Sequence, residues 1–247
     1  MDFQEFIANL TQEDLDLITQ EFNKRQDKIP IYKYSKIRDV DLRILVDIEE
    51  NLDIQIFNTW INHDIALSPE VENFLAELIQ NNQALIKSYN EEELKVKFLG
   101  LLFYKVNFKS LENNFRDYYE LPLTYKTDKF ILSGTIDFAV SKGLVYSQRP
   151  YFFIQEFKQG EKYSNPRPQL LAELISAVEL NNFIFIKGAY VIGAIWNFVI
   201  LEKLALNKYQ YFISQNFDST KIADLKQIYK MLIFVKQEII NLIKNEG

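Results

Sequence analysis

Three polar side chains, Asp137, Glu156 and Lys158, sit in stretches that otherwise read as buried strand. Glu156 and Lys158 are two residues apart, so an extended backbone projects both from one face and sends Phe157 to the other. Asp137 has an apolar setting of its own, between Ile136 and Phe138 with Val140 beyond. A hairpin joining the two stretches carries Asp137 across the ladder toward Glu156. Two carboxylates converging beside an ammonium repel one another unless something offsets them, and a divalent cation does. Asp137 and Glu156, with a strand carbonyl such as that of Phe157, are hard oxygen ligands suited to Mg²⁺ or Mn²⁺. They leave positions for water and a phosphate oxygen. Lys158 can then orient the attacking water or help deprotonate it. The alternatives are structural: Asp137 as a turn acceptor, and Glu156 with Lys158 as a surface ion pair.

The elements that must position these groups follow from periodicity. Glu120–Tyr125, Phe130–Ser141 and Tyr151–Lys158 are rich in β-branched and aromatic residues and read as strands, with Lys142-Gly143 as a break. Before them Asn90 reads as an N-cap, with Glu91, Glu92 and Glu93 in a first turn where acids suit the helix dipole. Asn90 and Glu93 have capping-box spacing. Glu91 falls on the face of Leu94 and Phe98 and is the preferred ligand candidate; Glu92, on the face of Val96, Leu99 and Phe103, is its rival. This helix is expected to end near Phe108. After the strands, Pro166 and Pro168 open a helix to about Leu180 with Leu170, Leu171, Leu174, Ile175 and Val178 as its apolar positions. Phe183–Ile186, Ala189–Ile192 and Trp196–Leu201 read as further strands, and the tail from Ser219 as a helix. The first ninety residues look mainly helical. Thr11 caps one helix with Leu15, Ile18 and Phe22 on a face, Ser68-Pro69 starts another running to about Tyr89, and residues 29–63 read as a helix plus irregular pieces. We therefore divide the chain into a helical N-terminal region, 1–88, and a second domain, 89–247.

Composition narrows the chemistry. No cysteine is present, which excludes thiolate zinc, iron–sulfur ligation and cysteine nucleophiles, and the single histidine, His63, cannot build a histidine metal cluster. Seven glycines occur, in neither a GxGxxG nor a GxxxxGK[ST] arrangement, so nothing suggests a dinucleotide fold or a P-loop. The net charge of −6 argues against indiscriminate polyanion binding. Its distribution is uneven: residues 1–60 hold 7 Lys/Arg against 13 Asp/Glu, whereas residues 121–170 hold 7 against 4. Lys126, Lys129, Lys142, Arg149, Lys162 and Arg167 border the carboxylates and are candidates for phosphate contact. No stretch approaches the roughly 20 apolar residues of a membrane span. The expectation is a soluble cytoplasmic protein with no membrane partner.

Gly134-Thr135-Ile136-Asp137, then Gln155-Glu156-Phe157-Lys158, then a helix opening with Gln169, resembles the PD-(D/E)XK nuclease superfamily. The resemblance covers residues 90 to 200. It implies an α/β (α+β) fold with a restriction-endonuclease-like α-β-β-β-α-β core, here with the helical N-terminal region and a C-terminal helix. It implies Asp137 and Glu156 as metal ligands and Lys158 as the catalytic lysine. Gln169 matches the glutamine many members carry near the metal or phosphate, and Glu91 the acidic residue some members add as a ligand. Ile136 stands where the motif has proline and touches no ligand. The activity implied is Mg²⁺-dependent hydrolysis of phosphodiester bonds, in DNA before RNA, with a homodimer as an assembly suited to double-strand cuts. The alternatives are a nuclease-like core kept as a nucleic-acid or protein-binding module, and an enzyme acting on small phosphorylated metabolites.

Overall fold

Residues 115–158 form the spine of the molecule because their apolar alternation favours strands and their breaks fall at turn residues. In a computed structural model, which describes residues 10–26, 29–158 and 165–246, they form β3 (Phe115–Lys126), β4 (Ile131–Lys142) and β5 (Gln148–Lys158). The three make an antiparallel meander, β3 against β4 over its whole length and β4 against β5 from Phe138↔Gln155 onward. A helix, α7 (Pro166–Asn181), carries the chain to β6 (Phe185–Ile192), which runs parallel to β5 with Glu156 opposite Tyr190. Next come β7 (Ile195–Ala205), β8 (Lys208–Ile213), β9 (Phe217–Asp218) and the long helix α8 (Ile222–Glu246).

The N-terminal residues join this sheet. Between α1 (Gln12–Gln26) and α2 (Asp39–Leu45), β1 (Ile31–Lys33) pairs in parallel with Ile131–Ser133 of β4. Then β2 (Asp47–Glu50) pairs in parallel with β8 at the far edge. α3 (Asn58–Ile61) and α4 (Pro69–Asn82) follow. Among the described residues the sheet has nine strands. Residues 1–88, expected to be helical, also supply two short strands, and residues on both sides of position 88 share each of the two hydrophobic clusters. Three residues of β1 and four of β2 are too short to leave a readable period.

One face of the sheet packs Phe103, Phe138, Phe153, Phe157, Trp196 and Phe198 beneath α4, α8 and the helix leading into the meander. The other packs Ile154, Tyr190, Val199 and Leu201 beneath α7. The leading helix begins as α5 (Glu91–Leu94), widens into a π-helical turn (Lys95–Leu99) and continues as α6 (Gly100–Val106). Gly100 permits that wide turn, since a Cβ there would stand 2.8 Å from the Lys95 carbonyl oxygen. Asn107, in the left-handed region, ends the helix one residue before the expected Phe108.

Several expectations shift by a few residues for local reasons. α4 begins at the Ser68-Pro69 signal, with the Ser68 side chain accepting from the Val71 N–H, but stops at Asn82 rather than Tyr89. The two expected strands on either side of Gly188 are one strand, β6, because a Cβ there would meet the Ile154 carbonyl and Leu174: the glycine marks close packing, not a break. Leu15, Ile18 and Phe22 of α1 share the expected face yet stay 44%, 47% and 58% exposed.

Candidate metal centre

β3 takes the whole of one edge of β4, so β1 and β5 must share the other. β1 ends at Ser133 and β5 begins its pairing at Phe138, leaving Gly134–Asp137 at a fork between them. Tyr34 fills the near side of the fork, its ring so close that a Cβ on Gly134 would stand 2.7 Å from Cδ2. Asp137 fills the far side. Its Oδ2 accepts the Phe157 N–H at 2.9 Å, so the carboxylate itself ties down the β5 backbone where the ladder has opened. The expected hairpin thus places Asp137 next to Glu156 and Lys158. Lys158 Nζ lies 2.7 Å from Glu156 Oε1, and Phe157 points away into the aromatic layer, 6.0 Å from Phe103 between ring centroids.

The two rival acids of the helix before the strands stand differently. The Asn90–Glu93 capping box is formed in both directions. Glu91 turns toward the strands, its Oε2 3.8 Å from Lys158 Nζ, whereas the side chain of Glu92 is 80% exposed. Gln169, near the start of α7, is buried and donates to Glu173 Oε1 at 3.2 Å. It also lines a cleft of about 530 Å³ with Tyr34, Lys36, Arg38 and Asn165.

Three residues that the sequence reading did not single out complete the centre. Lys95, first residue of the π-turn, places Nζ 3.0 Å from Asp137 Oδ1, 2.9 Å from Glu120 Oε1 and 3.4 Å from Glu91 Oε1. Glu120 lies in β3 between the pairs Tyr119↔Phe138 and Leu121↔Ile136, hence opposite Asp137. Its φ of 50° is a left-handed value costing about 1–2 kcal/mol for a residue with a Cβ. Strain of this kind gathers at functional sites. Glu173 is wholly buried on α7. Its sequence signal was a charged residue inside an apolar helix; Lys95 had only its four-residue spacing from Glu91, and Glu120 had none.

The electrostatics are those of an undercompensated acidic cluster. Burial pushes the Glu156 carboxyl well above its usual range, Glu173 and Asp137 push it further, and Lys158 opposes them. Glu173 is raised by burial too, with Gln169 opposing, Asp137 adding and Lys158 opposing. Burial alone would lower Lys95, but Glu120 and Asp137 hold it above the ordinary lysine value. Lys158 behaves likewise, with Glu156 overcoming burial. Both amines stay ammonium ions at neutral pH.

Among the described residues no group of three or more His, Asp or Glu side chains is gathered to hold a metal ion in this arrangement, in which two ammonium groups stand among the carboxylates. The donor set nevertheless fits a hard divalent cation. Every candidate donor is an oxygen, and Glu156 Oε2 is buried without a hydrogen-bond partner. Asp137, Glu156, Glu91 and the Phe157 carbonyl are the groups that would hold it.

The basic residues proposed for phosphate contact are mostly engaged elsewhere. Arg167 pairs with Asp39 at 2.8 Å and Arg149 donates to the Leu180 carbonyl, while Lys126 and Lys129 flank the turn at the remote end of the β3–β4 hairpin. Lys162 lies outside the described residues. His63 packs edge-on against Phe234, a structural role. Among the described residues no helix is long and apolar enough to cross a membrane. In the comparisons with known proteins, no family model matches this chain and no curated protein gives a significant match.

Proposed function

We propose that this chain is a Mg²⁺- or Mn²⁺-dependent nuclease of the PD-(D/E)XK kind, hydrolysing phosphodiester bonds, with DNA the first substrate to test and RNA the second. The observation that carries the reading is the fork in the sheet. There Asp137 on β4 meets Glu156 and Lys158 on β5, tied together by the Phe157 N–H. The path from α5–α6 through the meander and α7 to a parallel β6 supports the restriction-endonuclease-like α-β-β-β-α-β order.

Asp137, oriented by its bond to β5, and Glu156 would hold a divalent ion, with Glu91 and the Phe157 carbonyl as further oxygens, and the ion would supply a water of lowered pKa and offset phosphate charge. Lys158, kept protonated by Glu156, orients the attacking water and stabilises charge developing on the phosphate oxygens; it does not take up a proton in this state. Gln169 lines the cleft beside α7, and its amide, which donates to Glu173 Oε1, would act on the site through that glutamate.

The test is cleavage of plasmid and linear DNA, and of RNA, by the purified chain with Mg²⁺ or Mn²⁺. Asp137→Asn and Lys158→Ala should each lower the rate by about 10²–10³, the usual cost of losing a positioned charge-stabilising group, with circular dichroism unchanged. Cleavage that persists in both variants overturns the reading. One observation favours a second reading, an inactive nuclease-fold module that binds nucleic acid or protein. Lys95 already neutralises Asp137 and Glu120 without an ion. Oligonucleotide binding that needs no metal, in a protein that cuts nothing, would select it.

A further inference from the structure

We propose that Glu173 is a further acidic member of this cation site, reaching the ion held by Asp137 and Glu156 from the α7 side. The inference rests on the metal-site reading above and extends it to a residue outside the D…ExK pattern. α7 packs on the face of β5 that carries Ile154 and Glu156, and residues 169, 173 and 176 follow one another down a single stripe of it. Several polar groups of that stripe are bonded to one another or to the backbone. Gln169 donates to Glu173 Oε1, the Tyr34 hydroxyl donates to Ser176 Oγ, and Ser176 donates to the Ala172 carbonyl. Glu173 Oε2 is buried and has no partner.

Glu156 Oε2, on the facing strand, is buried and unpartnered as well. Glu173 is the leading charged neighbour acting on Glu156, and it acts under the influence of Asp137 and Lys158. Two buried carboxyl groups, each with a spare oxygen, lie on a strand and a helix that pack together, and no hydrogen bond from another protein group reaches either oxygen. A divalent cation satisfies both. Gln169 then acquires a definite role. Its amide holds Oε1 and so fixes which oxygen of Glu173 is left for the ion. A purely structural glutamate would instead have both oxygens bonded, as buried carboxylates ordinarily do.

The experiment is calorimetric titration of the full chain with Mn²⁺, paired with thermal melts in EDTA and in Mn²⁺, for the wild type, Glu173→Gln and Asp137→Asn. Glutamine at 173 keeps the shape and an oxygen for Gln169. It should weaken Mn²⁺ binding at least tenfold, shrink the melting-temperature rise that Mn²⁺ produces, and leave the melt in EDTA no lower than wild type. Mn²⁺ binding by Glu173→Gln as tight as wild type overturns the inference while leaving the metal site intact. So does an EDTA melt that falls, or a chain that fails to fold, because either marks Glu173 as a structural hydrogen-bonding group. Wild-type protein that binds no Mn²⁺ overturns the metal-site reading itself, and Asp137→Asn reports on that arm separately.

Discussion

The two faces of β5 share one backbone and carry opposite chemistry. Phe153 and Phe157 point into a layer where Phe103 stacks on Phe138 at 4.3 Å and Trp196 and Phe198 lie close by. Ile154, Glu156 and Lys158 point toward α7, where the polar stripe of Gln169, Glu173 and Ser176 waits. The first face gains free energy from burying apolar area and aromatic edges. The second holds charge in a place where charge is costly. The difference teaches how a site of this kind is held. The aromatic face anchors the strand so firmly that its other face can keep unsatisfied carboxylates at a fixed geometry. Gln155 shows the division is not perfect, since it sits on the aromatic side with neither end of its amide bonded.

The largest effect expected from this contrast is on the aromatic face. Phe157→Ala removes a fully buried ring and should cost about 3–5 kcal/mol in a denaturant titration. Glu156→Gln, one residue away, should cost nothing in EDTA. Similar losses at the two positions would erase the distinction between an anchoring face and a working one.

The next effect is a pH dependence with an unusual sign. Burial raises Glu156 and Glu173 above about 4.5, their ordinary value, so over part of the range above it the folded chain binds more protons at these groups than the unfolded chain. Stability therefore falls as pH rises from 4.5 toward the raised folded pKa. Carboxylates such as Glu93 and Glu70, lowered by bonds from Lys97 and Lys105, act oppositely and only below their ordinary value, so the two windows do not overlap. Denaturation midpoints in EDTA across pH 5 to 8 should decline for the wild type and decline less for Glu156→Gln. Parallel curves would mean that Glu156 carries no burial penalty.

How much of this was legible beforehand depends on which face a residue occupies. The Asp137, Glu156 and Lys158 set stood out because period-two apolar patterns made three polar residues conspicuous, and the β4–β5 hairpin followed from them. Asn90 and Pro166 marked their helix starts because caps and N-terminal prolines are local chemistry. Glu173 left only a weak signal, a charged residue inside an apolar helix, and the reason lies elsewhere in the chain. A charged residue on a helix belongs to the solvent side unless something covers that side. What covers α7 is Tyr34 and the turn after β1, together with α2, from the stretch whose pattern read as irregular. Missing β1 with the turn after it and missing a buried glutamate therefore share one cause. Lys95 escaped for a different reason: its four-residue spacing from Glu91 reads as an ordinary surface pair, and its reach to Asp137 and Glu120 depends on the strands it packs against.

The smallest effect tests the helix that spans both faces. Its body, through Phe98, Leu102 and Phe103, rests on the aromatic layer, while its first turn brings Glu91 to the charged one. Asn90 fixes that turn by accepting from the Glu93 N–H at 2.8 Å while Glu93 returns a bond to the Asn90 N–H. Asn90→Ala should cost about 1 kcal/mol in stability, the usual price of a lost cap, because the aromatic packing downstream holds the rest of the helix. The same variant should lower Mn²⁺ affinity by more than its stability loss suggests, since Glu91 is the residue the cap positions. Glu91→Gln supplies the reference. If Asn90→Ala weakens Mn²⁺ binding by the same factor as Glu91→Gln, the cap acts on the ion through Glu91. If it weakens stability alone, the first turn belongs to the anchoring side of the molecule, and the charged face ends at β5 and α7.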